Sequence, residues 1–128
     1  MSIELKVNVN LGDSLAKLDE ILRRVEDFTS VVEFDADEMI NDIIIGAKGA
    51  VPVDTGMLRE SIRAEGSFPN YVIIADAEDK YGTQYGPLVE YGSSKQEAQP
   101  FLWPVIYEAV RVYKNIILRD FRKVMKGV

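Results

Sequence analysis

Apolar residues recur every three or four positions at both ends of this chain and lose that period in between. Leu15, Leu18, Ile21, Leu22, Val25 and Phe28 share one helical stripe behind Asp13, a reasonable N-cap preceded by Gly12. The spacing predicts a helix over roughly residues 13 to 28. The β-branched stretch Thr-Ser-Val-Val-Glu-Phe then spoils the stripe, and Asp35 and Glu38 stand three apart as a capping box. Met39, Ile40, Ile43, Ile44 and Ala47 continue a second amphipathic helix that Pro52 must end. The pattern leaves open whether these are two helices or one bent rod. From Pro104 to about Met125 the period returns. Ile106, Ala109, Val110, Tyr113, Ile116, Ile117, Phe121 and Val124 occupy one face, with Arg111, Lys114, Arg119, Arg122 and Lys126 opposite.

The remaining segments are short. Ile3, Leu5, Val7 and Val9 alternate with Glu4, Lys6 and Asn8, the period of a half-buried strand over residues 3 to 9. Ser61 to Ala64, Tyr71 to Ala75 and Gln84 to Tyr91 read as further strands, punctuated by Gly-Ser-Phe-Pro-Asn and the charged turn Ala-Glu-Asp-Lys-Tyr-Gly. The expected fold class is α+β, a small antiparallel β-sheet packed against N-terminal helices and a long C-terminal helix. With 128 residues, no internal repeat and no linker, the chain is expected to form a single domain over residues 1–128.

Composition narrows the chemistry. Without cysteine there are no disulfides or thiolate metal sites, and without histidine the commonest neutral-pH general base and metal ligand is missing. No apolar run reaches the roughly twenty residues of a membrane span, and the N-terminus lacks a signal-peptide core, so the reading is of a soluble protein in the cytoplasm that makes it. The net charge of −6 is uneven. Residues 1 to 55 carry 12 acids and 5 bases, whereas residues 103 to 128 carry 2 acids and 6 bases, as complementary subunit surfaces would. The basic face of the last helix offers an alternative reading, a nucleic-acid-binding accessory protein. Against DNA contact stand the acidic chain, the absence of interleaved aromatics and the preference of helix C-termini for cations.

The sequence offers no candidate for catalysis, cofactor binding or metal ligation. Ser93, Ser94 and Lys95 lack a Ser-x-x-Lys spacing, and Gly-Ala-Lys-Gly-Ala-Val-Pro lacks the Gly-Lys-Ser/Thr ending of a phosphate loop. A hydrolase would have to pair two of Glu60, Glu65, Glu90 and Glu97, and the spacing brings no chosen pair together. Glu90 stands out because Val89 and Tyr91 flank it. In Val-Pro-Val-Asp-Thr-Gly-Met-Leu-Arg-Glu-Ser-Ile, Pro52 stops a helix, Asp54 can accept backbone hydrogen bonds, and Gly56 is expected to adopt a conformation other residues resist.

Two segments together carry a resemblance. The corner Pro-Val-Asp-Thr-Gly-x-Leu-Arg-x-Ser-Ile is followed by Tyr-Gly-x-x-Val-Glu-Tyr-Gly-Ser and Ala-Gln-Pro-Phe-Leu-x-Pro. Their order and spacing resemble the minor tail or tail-completion (head-tail joining) family of siphophages and prophages, from about Ala47 to the last helix. The resemblance implies a virion structural protein that acts by assembly and not by catalysis, at the head-proximal end of the tail. It implies partners in a homo-oligomeric ring and in neighbouring phage neck or tail proteins, with no small-molecule substrate, membrane or cofactor. Its location would be the virion tail or neck, and the host cytoplasm during assembly. The motif positions are Pro52, Asp54, Thr55, Gly56, Leu58, Arg59 and Ser61, then Tyr85, Val89, Glu90, Tyr91, Gly92 and Ser93, then Ala98, Gln99, Pro100, Phe101, Leu102 and Pro104. Ser93 stands where the family commonly has threonine.

Within that reading, Pro104 suits the first position of the last helix and Pro100 stiffens the approach, so that Phe101 and Leu102 reach the core at a fixed angle. The polar loop from Gly92 to Gln99 is then held at both ends, as a recognition surface requires, and is the expected assembly loop. Asp120 lies on the apolar face of the last helix, where a lone buried carboxylate is costly. It is expected, with Arg111 and Arg122, to meet a neighbouring copy.

Overall fold

The computed structural model describes residues 4–6, 12–52 and 56–126, with the side chains of residues 13 and 14 outside that description. Its elements run α1 (Gly12–Ala50), α2 (Gly56–Ser61), β1 (Arg63–Ser67), β2 (Asn70–Ile74), α3 (Gly86–Tyr91) and α4 (Trp103–Val124). The α+β class holds, with two long helices enclosing a short middle. Of the strand expected over residues 3 to 9, only 4–6 are described and they carry no regular element. The rest of that expectation lies outside the described residues.

The two N-terminal helical segments, which the pattern leaves open as separate helices or one rod, are one helix of 39 residues, about 58 Å long at 1.5 Å per residue. Asp35 and Glu38 therefore sit inside a helix and cap nothing. The β-branched stretch stays helical because α4 lies against it and packing outweighs weak propensity. Val31 and Val32 are half-buried, and the rings of Phe28 and Phe121 meet edge to face at 5.1 Å. Thr29 also returns its hydroxyl to the Val25 carbonyl at 2.9 Å. As expected, the helix stops just before Pro52.

β1 and β2 pair antiparallel, with Arg63 opposite Ile74 and Ser67 opposite Asn70, and Phe68–Pro69, joined by a cis peptide, connects them. The hairpin rests on α1 beside β1, where the Tyr71 hydroxyl donates to Asp37. The strand expected over Gln84 to Tyr91 is not one. Gln84 makes a single bridge to Glu78, after which α3 begins with Pro87 in its first turn. Proline has helical φ and no N–H for a ladder, so Gly-Pro favours a helix start over a strand interior.

The core lies where all these elements converge, at the C-terminal end of α1. Ala47 and Val51 meet Leu58 of α2, Ile62, Ala77, Val89 of α3 and Phe101, with Leu102 packed partly against them. α4 then runs back along the outside of α1 without a fully buried residue of its own. Among the described residues, no helix is long and apolar enough to cross a membrane.

Candidate functional site

The preceding segment Pro100-Phe101-Leu102 gives α4 no serine, threonine, aspartate or asparagine to cap its first turn, and Leu102 at the N-cap supplies no side-chain bond. Glu90 of α3 fills that role. Its carboxylate accepts the backbone N–H groups of Phe101 at 2.8 Å, Leu102 at 3.0 Å and Trp103 at 2.9 Å. The side chain is buried, yet three donors and the positive end of the helix dipole meet its charge. Both oxygens thereby accept backbone N–H groups, which makes Glu90 a clamp between α3 and α4. Trp103 opens α4, so Pro104 is its second residue and not its first. The missing N–H still falls in the first turn, where no intrahelical acceptor waits.

The loop between α3 and α4 is fastened at several points. Gly92 N–H donates to Leu88 O at 2.9 Å, Ser93 N–H to Gln96 O at 2.9 Å and Gln99 N–H to Val89 O at 2.7 Å. The Trp103 indole N–H reaches the Tyr91 hydroxyl at 2.6 Å. Gly92 has φ +77°, and a Cβ there would lie 2.8 Å from the Ala98 backbone nitrogen. Only glycine satisfies both the backbone and the space. Ser93, Ala98, Gln99 and Pro100 are exposed, so the loop presents a polar rim around a shallow depression of about 500 Å³ between Tyr91 and Ala98.

The two motif segments come together in the core. Leu58 is fully buried against Val89 and Phe101, and Tyr85 packs partly against the same cluster. The Ser61 hydroxyl donates to Leu58 O at 2.8 Å, while Arg59 is exposed and Pro52 half-buried. The expectations for Asp54 and Thr55 lie outside the described residues. Gly56 differs from its expectation. It opens α2 without a positive φ, and a Cβ there would meet nothing within 4 Å. The conformation that demands glycine belongs to Gly92 instead.

Asp120 also differs from its expectation. Its side chain is only 14% exposed, is held by Arg119 Nε at 3.2 Å and Nη2 at 3.1 Å, and faces Asp35 of α1. Its partners are therefore in its own chain, which already supplies the donor sought in a second copy. Burial pushes Asp35 up to about 6, assisted by the hydrogen bond to Asp120 and that carboxylate's charge, while Arg119 pulls the other way. The same hydrogen bond holds Asp120 below its ordinary value. Asp35 Oδ2 meets no donor, and below about pH 6 a protonated Asp35 donates to an ionised Asp120. That oxygen is sealed from solvent and is not open to a substrate. Arg111 pairs with Glu108 on the outer face of α4, where Arg122 is also exposed. Among the described residues, no group of three or more acids could hold a metal ion.

Arg24 has no counterpart among the residues that the sequence singles out. From α1 it donates to the carbonyl of Val124 at 3.0 Å and to that of Lys126, and it pairs with Glu20 at 3.0 Å. α4 is thus capped at its start by a borrowed anion and at its end by a borrowed cation, the signs its dipole favours. A usable sequence signal exists for the first: a helix start without a local cap, near an acid between apolar residues. No comparable signal distinguishes Arg24 among the bases. Compared with models of known protein families, with curated proteins and with solved structures, the chain gives no match.

Proposed function

We propose that this chain is a virion structural protein that completes the head-proximal end of a phage tail or joins head to tail, acting through ring assembly and not through catalysis. The observation that carries the reading is the convergence of the two motif segments. Leu58 from the first and Val89 and Phe101 from the second share one core, and Glu90 ties the second segment to α4. These four residues thus form one unit whose outward product is a fastened polar loop from Gly92 to Pro100. A loop fixed at both ends binds a partner without first losing its own freedom. Neighbouring neck or tail proteins are its proposed partners, and the virion its proposed location.

Deleting the gene from the phage that carries it should give filled heads and tails that fail to join or are misfinished. Normal infectious particles from that deletion would refute the reading. The nucleic-acid alternative rests on exposed Arg122 and Lys114 on α4. It requires DNA affinity that falls steeply with salt.

A further inference from the structure

The apolar stripe of α1 keeps one bearing along its whole length. At about 100° per residue, Ile40, Ile43 and Ala47 share a sector with Leu15, Leu18 and Leu22. The first three are buried against the globular end, whereas the leucines are 58%, 51% and 53% exposed. α4 does not cover them. It meets α1 along a neighbouring sector, through Arg24, Phe28, Asp35, Asp42 and Gly46, and its described end reaches only the level of Arg24. The leucine stripe therefore continues a core-facing surface into solvent.

α4 carries a matching surface on its far side. Tyr107 and Leu118 are exposed on the face turned away from α1, set among exposed Arg111, Lys114 and Arg122. The leucine stripe is bordered by exposed Asp19, Glu26 and Glu33. Over whole helices α1 carries ten acids against four bases, and α4 two acids against five bases. The apolar stripe of α1 is thus edged by acids, while the apolar side chains on the outer face of α4 stand among bases, and the geometry of a single chain keeps the two surfaces apart.

We infer that the leucine stripe of α1 is the docking surface for the outer face of α4 from a second copy. Such a contact is heterologous. Each copy offers both surfaces and retains one of each after pairing, so the arrangement propagates until it closes as a ring or continues as a filament. The inference rests on the proposed ring-forming function and assigns the surfaces that would form the ring. Opposed charge along the rims sets the register and makes association sensitive to salt.

Two blocked variants of the full chain test it. Leu18→Glu with Leu22→Glu removes the α1 surface, and Arg111→Glu with Leu118→Glu removes that of α4. All four positions are exposed, so circular dichroism and melting should remain close to the parent. Should either variant unfold, Leu22→Ser and Lys114→Glu take their places. In sedimentation velocity the parent should grow in mass with concentration and lose mass at high salt. Each variant alone should stay monomeric, and an equal mixture should give a dimer and nothing larger. A parent that remains monomeric at every concentration overturns the inference. So does an α4-blocked variant that still self-associates, because α1 would then pair with α1. A parent that associates only after removal of residues 1–11 also overturns it, since the chain's own N-terminal segment would be the occupant. The gene deletion remains a separate arm. Monomeric protein with a joining defect defeats the docking surface alone, and association with normal infectious particles defeats the functional reading alone.

Discussion

The two ends of α4 solve the same problem in different surroundings. At the start, Glu90 reaches three N–H groups from inside the core; at the finish, Arg24 reaches two carbonyls from a half-exposed position on α1. Buried amide groups that lose their acceptor have no water to turn to, whereas carbonyls at a helix end in solvent rehydrate. The same electrostatic device should therefore be essential at one end and minor at the other. The wider contrast is between a globular end that supplies stability and a two-helix arm that leaves its apolar surface available.

The largest effect should come from Glu90→Ala, which strands three N–H groups and releases the anchor of Phe101. A loss of about 3–5 kcal/mol is expected, enough to unfold a marginal domain at ambient temperature. Urea unfolding measures it directly. A loss below about 1 kcal/mol would mean that water enters beneath α4 and that this end is not dry. Next, Gly92→Val should cost about 2–3 kcal/mol, combining a β-branched residue at positive φ with a Cβ pressed on the Ala98 nitrogen. Gly56→Val lacks both penalties and should melt several degrees higher than Gly92→Val. Equal melting temperatures would remove the special status of Gly92.

A smaller effect tests the middle of the arm through pH. Asp35 binds its proton more tightly when folded than when unfolded, so its contribution is fully present below the ordinary aspartate value of about 4. It is lost as pH rises through about 6. Asparagine would supply a permanent donor to Asp120 and no charge. Asp35→Asn should therefore raise stability at pH 8 by about 1–2 kcal/mol, and by little at pH 4, in paired thermal melts. A variant equally destabilised at both pH values would show that the two carboxyl groups do not share a proton.

How much of the fold is legible in the sequence varies with the range of the cause. The last helix and the hairpin are readable because a 3.6-residue period and a Ser-Phe-Pro-Asn turn are local. The unbroken α1 is not, since Thr29 to Val32 argue against a helix locally and only α4, about ninety residues on, overrides that preference. Val-Glu-Tyr in α3 fits either period, and Gly86-Pro87 holds the deciding information. Glu90 is conspicuous as an acid between apolar neighbours, but its three partners lie eleven to thirteen residues away and are backbone groups without a side-chain signature. Asp120 is visibly misplaced on an apolar face, yet its neighbour Asp35 reads locally as part of a cap. With Asp35 placed at a helix start, Asp120 has no partner in its own chain, and the expected contact falls on a second copy.

The smallest effect belongs to Arg24→Ala, and it bears most directly on the contrast between the ends of α4. The change removes donors to the Val124 and Lys126 carbonyls and the pair with Glu20. Water can replace the donors at this half-exposed site, leaving chiefly the interaction of a cation with the helix C-terminus, about 0.3–1 kcal/mol and screened by salt. Global stability should fall by no more than about 1 kcal/mol. Hydrogen exchange should locate the loss, with faster exchange of the Met125 amide, which bonds Phe121 O, and unchanged protection of Val89 and Ile106 near the core. Arg24→Lys should recover part of the protection, because an ammonium keeps the charge but not the fork that reaches the carbonyls through Nη1 and Glu20 through Nη2. If Arg24→Ala instead lowers stability as much as Glu90→Ala and speeds exchange at Val89, the arm unfolds together with the core, and the division of labour between them fails.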